Sequence, residues 1–273
     1  MSAATRDAVA ATVLGVAPAI LLASVVGIVV TLASRVGAVA WLPFLWEGPQ
    51  NAGRGGGIFP FLIATAWVLG IALGIAIPLG LAAAVWMVEF AGSESRGLSA
   101  ALDAIAAMPS VIFGLFGMAL FCEALGLGWS VLAGGLTMAG MVLPLFVLVA
   151  VAGLRAVPAE LRLAGAALGL GRATIVGRIL LPHAAPTLGA GLVLAVGRVL
   201  AESAALMFTA GASIRVPTTP LEPGRVLAYH VYLLATEVPG GMSRACASAL
   251  VLVVLAGAAG ALARALPRWL VRR

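Results

Sequence analysis

Arg198 and Glu202 stand four residues apart in the apolar run Ala185–Thr209, which carries no other charge. A helix over this run would place both on one face. Arg198 would lie about 13 residues in, roughly 20 Å along the axis at 1.5 Å per residue. That is too deep in hydrocarbon for its head to reach the interface, and a charge there costs on the order of 2.5–3.5 kcal/mol on insertion scales. Two roles would account for it. As the cation of a solvated anion pathway, its planar fork would match the paired oxygens of an oxyanion. Alternatively, Arg198 and Glu202 are a self-neutralising pair that fixes helix packing.

A second charged segment, Arg155–Pro182, sets Arg155, Arg162, Arg172 and Arg178 with one acid, Glu160, between two long apolar runs. Pro158–Leu168 carries a helix-start signal and then Leu161, Ala164 and Leu168 at spacings of three and four, one apolar stripe on a short helix. The small residues Ala164, Gly165, Ala166 and Ala167 would let a partner's backbone come close. Gly169-Leu170-Gly171 should break this helix, and a second should run from Arg172 to Leu180 and end at Pro182. The segment could dock a protein. Equally, it could lie on the membrane with its arginines facing lipid phosphates.

The elements that position these residues follow from composition. Hydrophobic residues make up 63% of the chain and charged ones 10%, whereas soluble domains are about one quarter charged. The chain is therefore an all-α integral membrane protein, read as a single domain over residues 1–273 with its central loop at 154–182. All 16 basic residues are arginine, and most lie at span ends, so the pI of 10.9 reflects topology and anionic lipid instead of nucleic acid. Without lysine there is no phosphate-binding Walker loop, so any ATPase must be another chain. Cys122, Cys246, His183 and His230 are too few and scattered for a metal site, and the cysteines read as small buried hydrophobes.

Six spans fit, at about residues 8–33, 60–88, 104–125, 131–153, 185–209 and 245–263. The first apolar run exceeds the core of a cleavable signal and reads as a retained span. Pro78, Pro109 and Pro144 should kink or interrupt their helices. Gly70 and Gly74 form a small-xxx-small pair suited to close packing, although 34 glycines make one such pair by chance unsurprising. With the N-terminus inside, ten arginines (6, 96, 155, 162, 172, 178, 264, 268, 272, 273) face the cytoplasm and five (35, 54, 215, 225, 244) face out. The positive-inside rule favours this arrangement, with both termini and the 154–182 loop cytoplasmic. Outside, Val36–Gly57 carries interfacial Trp41 and Trp46 and a glycine-rich turn at 53–57 that reads as flexible. Ala212–Ser243 reads as a long irregular loop with a short helix near Leu227–Thr236.

Three motifs in order give a resemblance. An Ala-rich turn, Gly169 and a Leu181-Pro182 ending thirteen residues after that glycine resemble the coupling loop of ABC-importer permeases. Met108-Pro-Ser-Val-Ile-Phe-Gly-Leu-Phe-Gly117 and Gly197-Arg-Val-Leu-Ala-Glu-Ser-Ala-Ala-Leu206 are similar to the third-span and fifth-span motifs of the phosphate branch. The acid that usually opens the coupling motif is replaced by Leu163; the nearest acid is Glu160. The compact length and the segment at 228–237 favour the PstA-type over its PstC sister.

The resemblance implies the type I permease fold, with six transmembrane helices and a cytoplasmic coupling loop, in a bacterial cytoplasmic membrane. It implies a PstC-like permease as heterodimer partner, a PstB-like ATPase dimer that uses ATP and Mg, and a PstS-like extracytoplasmic phosphate-binding protein. The chain itself would bind no cofactor and catalyse no reaction. Arg198 and Glu202 would line the substrate pathway. Glu160, Leu161, Arg162, Ala164, Ala167, Leu168 and Gly169 would form the ATPase-coupling loop. Rival readings are a permease for molybdate, sulfate or phosphonate, an ion-coupled secondary transporter, and a scaffold or sensor subunit.

Overall fold

Hydrocarbon offers no water to backbone N–H and C=O groups, so apolar runs that cross it must satisfy them internally. The computed structural model describes residues 3–37 and 39–271 and is helical nearly throughout. Its helices are α1 (Ala3–Arg35), α2 (Trp41–Trp46), α3 (Phe59–Glu89), α4 (Ser95–Ala106), α5 (Ser110–Gly117) and α6 (Val131–Arg155). They continue with α7 (Ala159–Ala167), α8 (Arg172–Ile175), α9 (Leu181–Ala201), α10 (Ala204–Thr209), α11 (Leu227–Thr236) and α12 (Met242–Val271). A π turn over Met118–Ala124 prolongs α5, and another over Val176–Leu180 joins α8 to α9.

Five helical runs are long and apolar enough to cross a membrane: Gly15–Arg35, Phe59–Glu89, Val131–Arg155, Arg172–Ala201 and Met242–Ala263. The sixth expected span, residues 104–125, is not one straight helix. It splits at Pro109 into α4 and the Ser110–Ala124 run, which meet at 93°. Pro109 lacks a donor and disfavours helix in the residue before it. A count of six requires treating this bent pair as one span. Pro78 and Pro144, expected to act in the same way, interrupt neither α3 nor α6. Arg272 and Arg273, part of the cytoplasmic charge count, lie outside the described residues.

The core is the pairing of α3 with α6. On α3, residues Ala64, Val68, Ala72, Ala76, Gly80 and Ala84 recur every fourth position and are all buried. Between helices in lipid there is little hydrophobic drive, so association depends on close packing, which small residues permit. A Cβ at Gly135 of α6 would lie 2.6 Å from Ile71, and one at Gly80 would lie 2.8 Å from Phe146. Gly70 and Gly74, expected to make such an approach, are exposed and have no atom within 4 Å of a Cβ. The pair is a chance spacing on the outward face. Cys122 and Cys246 are free and buried.

Outside the bundle, the loop after α10 folds back over α6. Its carbonyls at Pro220 and Glu222 accept from Leu132 and Val131 N–H at 2.8 and 2.9 Å, and Thr209 accepts from Ser130. These groups satisfy first-turn donors that no helical carbonyl can reach. The glycine-rich turn expected to be flexible is instead a small hairpin, Pro49–Gln50 against Gly55–Gly56. Gly53, at φ +92°, lets its tip rest on His230 and Leu234, 3.1 Å from where a Cβ would stand. His230 is buried, stacks on Phe61 at 3.8 Å between ring centroids, and has no partner for Nδ1 among the described residues.

Two predictions follow from this packing. Gly135→Leu should overpack the α3–α6 seam and destabilise the protein by about 1–3 kcal/mol, whereas Gly70→Leu should be tolerated; detergent melting curves of the two variants would compare them. Burial, and then the charge of Arg225, lowers the His230 pKa from 6.5 to about 3. The folded protein therefore holds this ring neutral. Its contribution to stability is complete above pH 6.5 and is lost as pH falls toward about 3. His230→Phe should flatten the fall in melting temperature across that window, and an unchanged profile would assign the acid sensitivity elsewhere.

Candidate functional site

The helix that begins at Arg172 runs through α9 and stops at Ala201. Glu202 is extended, with φ −81° and ψ 126°, Ser203 is also non-helical, and α10 restarts at Ala204. The single helix expected over residues 185–209 is thus broken at the acid, and Arg198 and Glu202 do not share a continuous helical face. They meet nonetheless, with Nη2 of Arg198 4.0 Å from Oε2 of Glu202. That separation is an ion pair at its outer limit and too long for a hydrogen bond. The other carboxylate oxygen accepts the N–H of Ala205 at 3.2 Å, which satisfies a first-turn donor of α10. The acid therefore secures the restart of the helix as well as facing the arginine.

The two side chains differ in access. That of Glu202 is 7% exposed and that of Arg198 is 45% exposed. Among the described residues, Arg198 donates no hydrogen bond and makes only this loose ion pair. Its guanidinium retains donors for a passing ligand. Non-helical backbone at membrane depth is tolerated where protein buries it or a watery cavity is lined, and the half-buried Ser203 beside buried Glu202 fits such a wall. The segments Met108–Gly117 and Gly197–Leu206 come together here. A Cβ at Gly114 of α5 would lie 2.8 Å from Cα of Ala205, so α5 lies directly on α10.

The loop between α6 and α9 holds the second group of expected residues. The helix expected over 158–168 is α7, and Gly169 ends it at φ +72°, with Leu170 N–H bonded back to the Gly165 carbonyl at 3.1 Å. This is a left-handed cap of the kind glycine favours. Pro182 does not end the second helix as expected. It sits in the first turn of α9, where a missing N–H is harmless, and the run Arg172–Ala201 passes through it.

The expected stripe Leu161–Ala164–Leu168 is divided between faces. Leu161 packs into the chain's own apolar cluster around Leu154, Ile175 and Leu180. Gly165, expected to admit a partner, instead admits Ile175 and Ile179, 3.0–3.2 Å from where a Cβ would stand. The free face carries Glu160, Leu163, Ala164, Ala167 and Leu168, with Leu163 69% and Leu168 78% exposed. Arg162 points inward. It forms an ion pair with Glu89 at the end of α3, and its Nη2 donates to the Leu154 carbonyl of α6 at 2.9 Å. Glu89 was missed by the sequence reading, although it is the only ionisable residue of α3.

Comparison with known proteins agrees with this geometry. Residues 76–273 match the family of binding-protein-dependent transport system inner membrane components. The probable ABC transporter permease protein YqgI of Bacillus subtilis is 30% identical over 93% of this chain and 92% of its own length. The phosphate transport system permease protein PstA 1 of Mycobacterium tuberculosis is 37% identical over 48% of this chain and 43% of its own length. Among solved structures, a bacterial alginate ABC transporter chain superposes with a TM-score of 0.67 at 15% identity, covering 98% of this chain and 96% of that one. A chain of the MetNI methionine ABC transporter does so with a TM-score of 0.60 at 16% identity, covering 77% and 96%. This chain belongs to the family of binding-protein-dependent transport system inner membrane components and is an integral membrane permease of the ABC-importer type, with the type I permease fold.

Proposed function

We propose that this permease conducts inorganic phosphate inward, with Arg198 as the cation on the path and Glu202 as the acid that sets its position. The observation that carries the reading is the exposed guanidinium beside a broken membrane helix. The similarity to a phosphate transport permease supports it. A fork of fixed N–H donors in a low-dielectric wall lowers the barrier for an oxyanion by replacing part of its hydration. The chain forms and breaks no covalent bond. A broken span would also suit an ion-coupled carrier, but membership of the importer family favours the ATP-driven reading.

The proposed assembly pairs this chain with a related, PstC-like permease and sets a PstB-like ATPase dimer, which consumes ATP with Mg, against the exposed face of α7. A PstS-like phosphate-binding protein delivers substrate to the opposite, extracytoplasmic side. The membrane domain of this chain extends over residues 1–273, and both termini and the 154–182 loop lie in the cytoplasm.

Arg198→Ala should abolish phosphate uptake in a complex that still assembles, and Arg198→Lys should retain at most part of it, because an ammonium keeps the charge and loses the fork. A structural pair can be replaced by apolar residues with little loss. Near-native uptake in the double variant Arg198→Leu, Glu202→Leu would therefore overturn the pathway role. Uptake blocked by molybdate, sulfate or phosphonate, and not by unlabelled phosphate, would reassign the substrate.

Orientation is checked separately. In a background lacking Cys122 and Cys246, a cysteine at Leu221, exposed in the loop after α10, should react with an impermeant thiol reagent in intact cells, and one at Gly171 should not. The reverse pattern would invert the topology.

A further inference from the structure

Arg162 and Glu89 lie outside the proposed phosphate path, yet they are among the most constrained charges of the chain. Arg162 sits on α7 with the inward-facing Gly165, opposite exposed Leu163, Ala164 and Ala167. Its guanidinium holds two elements at once, with Nη1 on the Glu89 carboxylate at the end of α3 and Nη2 on the Leu154 carbonyl in the last turn of α6. The Leu154 group is a helix-end carbonyl without an intrahelical donor. The pair is also shielded, with side-chain exposures of 27% for Arg162 and 15% for Glu89, so water and salt screen it less than they would a surface pair.

Neighbouring contacts reinforce the junction. Arg155, the last residue of α6, donates to Ser95 Oγ of α4 at 3.2 Å. Arg172 of α8 lies 5.6 Å from the ring of Phe90, which follows α3. The outward face of α7 has no partner among the described residues, while Arg162 on its inward side ties it to α3 and α6, the core pair of the bundle. A push on the outward face can pass inward by the apolar contact of Gly165 with Ile175 and Ile179 or by this junction, and the junction alone leads to α3 and α6 through directed bonds.

We propose that the Arg162–Glu89 pair is the tie by which displacement of α7 is delivered to the α3–α6 core, making both residues positioning residues for transport. This rests on the reading that α7 docks the ATPase. A guanidinium fork suits such a tie because it holds a carboxylate and a carbonyl in fixed directions, where apolar contact alone would allow sliding.

The test uses the complete importer, permease pair with ATPase and binding protein, in proteoliposomes. Two readouts are taken: labelled phosphate moved per ATP hydrolysed, and the ATP-dependent change in thiol reactivity of Ser203→Cys in a background lacking Cys122 and Cys246. Glu89→Gln should leave the ATPase bound and hydrolysing while phosphate moved per ATP falls about tenfold, within the usual span of coupling between sites. It should also erase the ATP-dependent change at position 203. Exchanging the charges, Glu89→Arg with Arg162→Glu, should restore part of both.

Unchanged transport per ATP and an unchanged response at position 203 in Glu89→Gln would overturn the tie. Loss of the ATPase from both the single variant and the exchanged pair would also overturn it, since the residues would then serve assembly. The docking reading fails by a different result. Ala164→Glu, which puts a charge on the outward face, should release the ATPase; retention of the ATPase by that variant would overturn docking through α7. A Ser203→Cys importer with Arg162 and Glu89 intact that shows the response at position 203, loses it on Glu89→Gln, but moves no phosphate would overturn the substrate assignment and leave the tie supported.

Discussion

Close contact between α3 and α6 is the constraint on which the rest of the molecule depends. It exists because α3 presents Ala64, Val68, Ala72, Ala76, Gly80 and Ala84 on one face and α6 answers with Gly135. Each functional segment is then hung on this pair by a further close approach. Gly134 of α6 admits Ala210 beyond α10, Gly117 admits Thr137, and Gly153 admits Thr187 of α9. The broken span and the motif in α5 thus take their positions from α6. At the end nearest α7 the same two helices hold Arg162 through Glu89 and the Leu154 carbonyl. Loss of a few tenths of an ångström at the seam would be felt at both ends, because packed interiors transmit displacement instead of absorbing it.

The few charges are arranged according to what surrounds them. Beside α7, Arg162 pairs with Glu89, and the Leu154 carbonyl accepts from its other terminal nitrogen. In the middle, Glu202 divides its oxygens between Ala205 N–H and a distant Arg198, which remains incompletely satisfied. A half-buried arginine held by two acceptors is fixed in place; a loosely paired cation can still bind. The same two residue types therefore serve two different ends, and geometry separates them where residue type does not.

The sequence disclosed what depends on composition and on local breakers. Four of the six expected spans, the α7 helix, its Gly169 cap and the Leu227–Thr236 helix stand where periodicity and punctuation put them, while the spans at 104–125 and 185–209 are broken. The in-membrane pair was legible because a charge in an apolar run is conspicuous. Facing was less legible. Leu161 and Leu168 satisfy the same helical spacing, yet one enters the chain's own core and the other points away, and only the position of Ile175 and Ile179 against Gly165 decides between them. Gly70 and Gly74 met a packing motif on a face with nothing to pack against. Proline was ambiguous for a related reason. Pro109 breaks the chain at the bend between α4 and α5, whereas α3 and α6 continue past exposed Pro78 and buried Pro144. Glu89 could not be paired with Arg162 without knowing that the ends of α3 and α6 converge.

The break at Glu202 gives the proposed pathway a property that a continuous helix would lack. On an unbroken helix, residues four apart can close into a tight pair, and an arriving anion would have to displace the carboxylate before reaching the arginine. Extending the backbone at Glu202 commits one oxygen to the restart of α10 and leaves the other 4.0 Å from the guanidinium. An oxyanion can then add to the fork without first breaking a hydrogen bond. The same carboxylate remains close enough to repel a bound anion and weaken its hold. Conduction requires a site attractive enough to enter and weak enough to leave. In the proposed reading, Arg198 supplies the first condition and the nearby, otherwise occupied Glu202 supplies the second.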